Sequence, residues 1–407
     1  MYLSRFGVKN YKCLADIDIP LTPIHVLIGP NDAGKTSLLE AIAAFYASAD
    51  RALPQTLPAP WGGRDLVSHW QSAPTVEFSG EWRTETASES ASGNPDIKYG
   101  YGLEFAVIPD IRQCGKYGEW LQGDTDKWLL DRYLGPGSDS TAFCHWRRGL
   151  KWPDQMVPSL GTLSQVLKPT HKYALDPKVM AIPCAIDVLR KYRLDPDGFG
   201  LPTLLMDILT YDATRFLNLR QQFCELFPEF ASVRMETERA HRRDYDHEGA
   251  VAASASSGAG HGIFFESVGG ATIRAQQASD GAILFLGFLA LAHLPEPPTL
   301  LLIEEPENGV YPKRLAEVIR LLKGMIYREE GPRFPQIILT THSPFVLSFF
   351  EPEEVTFLSR DPKHPEKAVR ARPMRDAPKI RERLAGGAFY LGELWYNLSE
   401  EDLFGGP

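Results

Sequence analysis

The sequence predicts an α/β fold, a mixed sheet flanked by helices, with a large and mostly helical insertion in its middle. Three observations carry that reading. The run "IHVLIG", ending at Gly29, is apolar and short enough for a buried strand, and "GKTSLLEAIAAFYASA" after it is helical. In the last third, apolar strands alternate with helices ("PPTLLLIEE", "PKRLAEVIRLLKGMIYREE", "PQIILTTHS"), which argues for parallel strands in a layered core. Between these parts, from about 109 to 262, no such alternation holds.

Residues 1–108 form the first part of the core. "YLSRFGV" and "ADIDIP" are short β-rich runs, and the helix after Gly34 gathers Leu38, Leu39, Ile42 and Phe45 on one face at three- and four-residue spacing. "TVEFSGEW" and "YGLEFAVI" read as strands joined by the polar loop "TETASESASGNP". The insertion, 109–262, holds a helix around "LPTLLMDILTYDATRFLNLRQQFCELF" and then the basic cluster "ERAHRRDYDHEGA". The tract "VAASASSGAG" has too little apolar bulk to pack and reads as a mobile connection. Residues 263–375 return to order, with strand, turn, strand and an apolar helix from about Ser279, then the alternating elements above and a strand at "EVTFLSR". In the tail, 376–407, "AFYLGELWYNL" is apolar enough to dock onto a partner or, the expected case, onto the core.

Composition narrows the class. Hydrophobic content of 43% and charged content of 23% over 407 residues describe an ordinary globular chain with room for a large core. No run approaches the eighteen or so apolar residues of a membrane span, and the start lacks the apolar core of a secretory signal. The five cysteines are scattered without a CxxC pair, so a disulfide framework or zinc site is not expected and a cytoplasmic location is. A net charge of −9 argues against coating nucleic acid or anionic membrane with the whole surface. Local basic regions remain. Arg147, Arg148, Lys151, Arg190, Lys191, Arg193, Arg239, Arg242 and Arg243 interleave with Trp146, Trp152 and Tyr192, a mixture that either tracks phosphates and stacks bases or forms solvated faces. From Arg360 to Arg383, nine Lys/Arg face four Asp/Glu, a basic stretch that suits nucleic acid or an acidic partner.

The chemistry is concentrated in two places. "GPNDAGKTS", Gly29 to Ser37, fits G-x-x-x-x-G-K-[ST] between a strand and a helix, and so predicts a phosphate cradle. Backbone N–H groups of Asn31, Ala33, Gly34 and their neighbours approach the phosphates, and the helix N-terminus adds partial positive charge. Lys35 reaches the β/γ-phosphates, the Thr36 hydroxyl suits Mg²⁺, and Ser37 closes the motif. The second place is "LLLIEEPENGVYP", an apolar strand ending in the adjacent carboxylates Glu304 and Glu305. Two like charges at a strand end call for a cation. Mg²⁺ held with Glu304 supplies it, and Glu305 suits a base for the attacking water.

Three further features, "ASDG" at Ala278–Gly281, "EPENGVYP" from Glu305, and "LTTHSP" placing His342 past a strand, complete a pattern. Together with the cradle they resemble the ABC-type P-loop ATPase core of the RecF, SMC and OLD-like branch, in the same order along the chain. The opening "FGVKNYKCLADIDIP" is similar to the start of that branch. The resemblance covers about 1–80 and 263–360. It implies ATP and Mg²⁺ as cofactors, and a homodimer closed around two nucleotides in a head-to-tail sandwich. It further implies that Ser279 and Gly281 contact the γ-phosphate of ATP held by a second copy, that Asn308 lies near the crossing between copies, and that His342 senses the γ-phosphate. Ala278 stands where the family often has leucine and Tyr311 where it often has histidine; no glutamine stands out as the Q-loop ligand, and Gln71 is either a candidate for it or a plain surface glutamine. No acidic Toprim pattern follows His342, so no built-in nuclease is expected.

The expected function is therefore Mg-dependent ATP binding and hydrolysis that drives dimerisation, acting on DNA or gating a protein effector in repair or anti-phage defence. A transporter motor subunit and a nucleotide-dependent scaffold with little hydrolysis are the alternatives. No membrane insertion is expected.

Overall fold

The computed structural model describes residues 1–57, 75–83, 98–108, 113–123, 126–130, 138–168, 170–186, 191–245, 251–327, 336–360, 369–385, 390–398 and 400–404. Gln71, the loop "TETASESASGNP" and Arg190 lie outside them. The chain forms two compact units, one of residues 1–172, 298–302 and 334–407, the other of 173–297 and 303–333.

The first unit is a helix held between two sheets. Strands β1 (Tyr2–Tyr11), β2 (Leu14–Pro20), β4 (Thr75–Arg83), β5 (Lys98–Ile108), β6 (Gln113–Gln122) and β7 (Lys127–Leu129) form an antiparallel sheet of order β2-β1-β4-β5-β6-β7. Alternation sets its inner face, as in β4, where Val76, Phe78 and Trp82 are buried and their neighbours half-buried. The other sheet has the order β16-β15-β3-β14-β13-β8, from β3 (Ile24–Ile28), β8 (Lys172–Tyr173), β13 (Leu301–Glu304), β14 (Ile337–Thr341), β15 (Val355–Ser359) and β16 (Arg370–Pro373). Its central strands β3, β14 and β15 are buried at every residue, the polar His25, Thr340, Thr341, Thr356 and Ser359 included, as suits parallel strands covered on both faces. Helix α1 (Lys35–Ala47) completes the core. Leu38, Leu39, Ile42 and Phe45 join one hydrophobic cluster with Phe6, Val8 and Phe78 of the first sheet and Leu27, Ile338 and Leu358 of the second. The ring of Phe45 stacks on Trp82 and Tyr101. Helices α2 (Ala142–Arg147), α3 (Val157–Val166), α9 (Pro344–Leu347), α10 (Pro378–Ala385), α11 (Leu391–Asn397) and α12 (Glu400–Phe404) belong to the same unit. The tail docks as expected, with Leu391 and Leu394 of α11 buried.

The second unit contains α4 (Pro177–Met180), α5 (Leu201–Tyr211), α6 (Ala213–Leu226), α7 (Asp280–Ala292) and α8 (Pro312–Ile326). With them are β9 (Cys184–Ala185), β10 (Phe230–Tyr245), β11 (Val251–Ser267) and β12 (Thr272–Arg274). Helix α7 is buried on every side from Ala282 to Ala292, as its almost wholly apolar sequence requires.

Three expectations for the insertion need correction. It is not mostly helical, because β10 and β11 pair along an antiparallel hairpin from Phe230↔Ser267 to Tyr245↔Val251. The small-residue tract is strand, not connection. A ladder is built from backbone groups, so poor side-chain bulk does not prevent pairing, and where β9 joins the hairpin bulk is excluded. A Cβ at Gly260 would stand 2.2 Å from the Cys184 carbonyl oxygen. The helix around 201–226 is two helices, broken at Asp212, whose carboxylate accepts from Arg215 N at 3.0 Å and caps α6.

Candidate nucleotide site

The phosphate cradle is built by the first unit. The buried strand β3 delivers the chain to Gly29, where an added Cβ would lie 2.1 Å from the Leu358 carbonyl oxygen, so no larger residue fits. The loop then turns through Asp32 (φ 63°) and Gly34 (φ 86°), left-handed conformations that glycine adopts without strain. Among the described residues no side chain caps α1, whose first turn also lacks an acidic residue. Its N-terminal N–H groups are thus the kind that an anion satisfies. Lys35 is buried, with Nζ donating to the carbonyls of Gly29 (2.8 Å) and Pro30 (2.9 Å), which holds the ammonium across the mouth of the loop. Thr36 and Asn31 are exposed and Ala33 is buried. The Ser37 hydroxyl accepts from the Cys13 thiol at 3.6 Å.

His342 belongs to the same unit. β14 runs parallel to β3 with Thr341 opposite Ile28, so His342 and Gly29 follow the carboxyl ends of neighbouring strands. Ligands of open α/β sheets bind at such ends. The Thr341 hydroxyl accepts from Ser343 N at 2.9 Å, and the turn leaves His342 exposed.

The remaining candidates are gathered in the second unit. Glu304 ends β13, and Glu305 follows with φ 46°, a conformation uncommon outside glycine that turns the chain at once. Asn308 folds back on it, with Nδ2 donating to Glu305 Oε2 at 2.7 Å and N donating to the Glu305 carbonyl at 3.0 Å. Ser279 is the N-cap of α7, its hydroxyl accepting from Ala282 N at 3.3 Å, as its place before the apolar helix predicts. Gly281 lies beside the Gly309 carbonyl, 3.7 Å from an added Cβ, and a Cβ on Gly309 would be 3.6 Å from that of Asp280. Ser279, Gly281, Glu305 and Asn308 therefore share one corner.

The residues present fit a magnesium triphosphate. The cradle offers uncapped N–H donors, a buried ammonium and a close backbone approach, and the Thr36 hydroxyl beside it is an oxygen group of the kind that Mg²⁺ takes, as is, in the second unit, the Glu304 carboxylate. Sequence reasoning missed Cys13, which packs against the cradle. A Cβ on Gly34 would meet its sulfur at 3.0 Å and Val369 Cγ2 at 3.1 Å. No spacing rule links a turn between β1 and β2, or the residue before β16, to a loop after β3.

Comparison with known proteins bears on the same elements. A family model described as "AAA ATPase domain" matches residues 1–91, and one described as "AAA domain, putative AbiEii toxin, Type IV TA system" matches 186–348. The chain is 58% identical over 40 residues to an OLD nuclease of Thermus scotoductus, which is 10% of this chain and 8% of that protein. It is 40% identical over 68 residues to a DNA replication and repair protein RecF of Chloroflexus aggregans, 16% of each. The aligned stretches thus span a small part of either relative. A crystal structure of the SmcHead bound to the C-winged helix domain of ScpA superposes over 92% of this chain and 99% of its own, with a TM-score of 0.51 at 13% identity. The two family matches and the two relatives support an ABC-type ATPase of the RecF, SMC and OLD branch, and the structural neighbour shows the same fold. The two family matches divide the candidates as the sequence does, the cradle falling in the first and Ser279 to His342 in the second. Among the described residues no helix is long and apolar enough to cross a membrane.

The basic groups of the insertion divide. Arg147, Arg193, Arg242 and Arg243 pair with Asp50, Asp195, Asp244 and Asp197 within 3.3 Å, and Trp152 is buried. Arg148, Lys151 and Arg239 are exposed.

Proposed function

We propose that this chain binds ATP with Mg²⁺ in the cradle from Gly29 to Ser37 and hydrolyses it between two copies arranged head to tail. The observation that carries the reading is the buried Lys35 ammonium, held across a glycine cradle at the uncapped N-terminus of α1. Lys35 neutralises the β/γ-phosphates, and Thr36 and Glu304 hold the magnesium ion. That ion supplies charge neutralisation of the triphosphate. Glu305 accepts the proton of the attacking water, and His342 contacts the γ-phosphate. Ser279 and Gly281 of the other copy complete the pocket, and Asn308 sits at the crossing. In the single chain Glu305 is held by Asn308, which favours activation on pairing.

The work done by the cycle is on DNA or on a protein effector. A relative named for DNA replication and repair supports the first, and a match described by a toxin–antitoxin system supports the second. Nuclease activity is not carried over from the OLD relative, which is matched over 8% of its length.

The test is Glu305→Gln with ATP and Mg²⁺. Light scattering should report a long-lived species of twice the chain mass, absent with ADP and in Lys35→Ala. A mass that stays at one chain under every nucleotide would sink the proposal.

A further inference from the structure

The turn that carries His342 is seated against a contact that ordinary side chains do not permit. His342 leaves β14 at Thr341, and Pro344 opens α9 two residues later. Against Pro344 lies α11. Its Gly392 is buried, and a Cβ built there would stand 1.9 Å from the Pro344 carbonyl oxygen and 2.9 Å from its carbonyl carbon. These are backbone atoms, which cannot rotate aside. Gly392 is the second residue of α11, and the close approach is what requires a residue without a Cβ there. On either side the seam is packed: Leu391 and Leu394 of α11 and Val346 and Leu347 of α9 are buried.

We propose that α11 is a clamp on the switch-histidine turn, and that Gly392 is a positioning residue acting on His342 through the Pro344 carbonyl. This rests on the reading of His342 as the γ-phosphate contact. Bulk at position 392 either displaces Pro344 or lifts α11, and both release the turn two residues after His342. Misplacing a catalytic contact by about an ångström costs up to about a hundredfold in rate. Nucleotide affinity, set mainly by the cradle, is left nearly unchanged.

The experiment compares wild type, Gly392→Ala and Leu394→Ser in the full chain. Leu394→Ser loosens the seat without adding bulk at Pro344, and it serves if Gly392→Ala folds poorly. Three quantities are read: affinity for a fluorescent ATP analogue, turnover, and the ring ¹³Cε1 resonance of His342, assigned by its loss in His342→Ala. The expected result is a shifted His342 resonance and kcat lower by about 10- to 100-fold, with affinity within about twofold. An unmoved His342 resonance overturns the clamp, as does a loss of turnover matched by an equal loss of affinity. If wild type hydrolyses no ATP, the ATPase reading fails, while the resonance still decides the clamp.

Discussion

Lys35 and His25 are buried polar side chains ten residues apart, and the fold accommodates them in opposite ways. Lys35 lies beyond the carboxyl end of β3, where the carbonyls of Gly29 and Pro30 accept from its Nζ. His25 lies inside β3, its Nε2 2.9 Å from the Thr356 hydroxyl and its Nδ1 3.1 Å from that of Thr22. Burial, reinforced by Arg375, lowers its pKa from 6.5 to about 3, so the folded ring is neutral at any ordinary pH. The sign follows. Between pH 3 and 6.5 the unfolded chain binds a proton that the folded chain does not, so stability is full above about 6.5 and falls as pH drops through that window. At about 1.4 kcal/mol per unit, moving from pH 7.5 to 5 should cost about 2 kcal/mol through this residue. Urea unfolding of wild type and His25→Gln at both pH values checks it. The difference between the two slopes should vanish if His25 is not the cause.

At the scale of elements, the parts that carry chemistry were legible because each combines a backbone rule with a side-chain pattern. Strand, glycine turn and helix at 24–47, and cap plus apolar helix at 279–292, are local signals that packing had no reason to override. The hairpin and the break at Asp212 were not legible. Ala, Ser and Gly at 252–260 say little about conformation, and what makes them a strand is pairing with β10, far less visible than a periodicity. The α9–α11 seam was equally hidden, since a glycine in a tail helix has many causes. The packing of α2 depends on another such long-range device. Glu119 is buried, accepts from Tyr101 OH (2.7 Å), Lys116 Nζ (2.8 Å) and the N–H of Ala142 (2.8 Å), and so ties β5, β6 and the first turn of α2 together. Removing only the cation leaves a buried carboxylate without its counter-charge. Lys116→Met should therefore cost about 3–5 kcal/mol. Equilibrium denaturation measures this, and a loss under 1 kcal/mol would mean that Tyr101 and Ala142 alone suffice for Glu119.

For the whole molecule, the decisive feature is that the candidates fall into two sets on two units, the cradle with His342 and the Ser279 corner with Glu305. Composition and charge could not reveal this division, though the long interval between the motifs hinted at it. If one nucleotide is completed by Ser279 of another copy, two defects on different chains can complement. Lys35→Ala spoils the site whose cradle a chain provides, and Ser279→Arg spoils the site to which that chain lends its corner. Each variant alone should be inactive. In a mixed pair, one site receives both defects and the other receives neither. With equal amounts, half of the pairs are mixed and one site in two is whole, so activity should return to about a quarter of wild type. A site completed within one chain predicts no recovery on mixing, because every site then keeps one defect. Phosphate release from the mixture, set against the sum of the two separate variants, distinguishes these outcomes without requiring any knowledge of the DNA or effector on which the cycle acts.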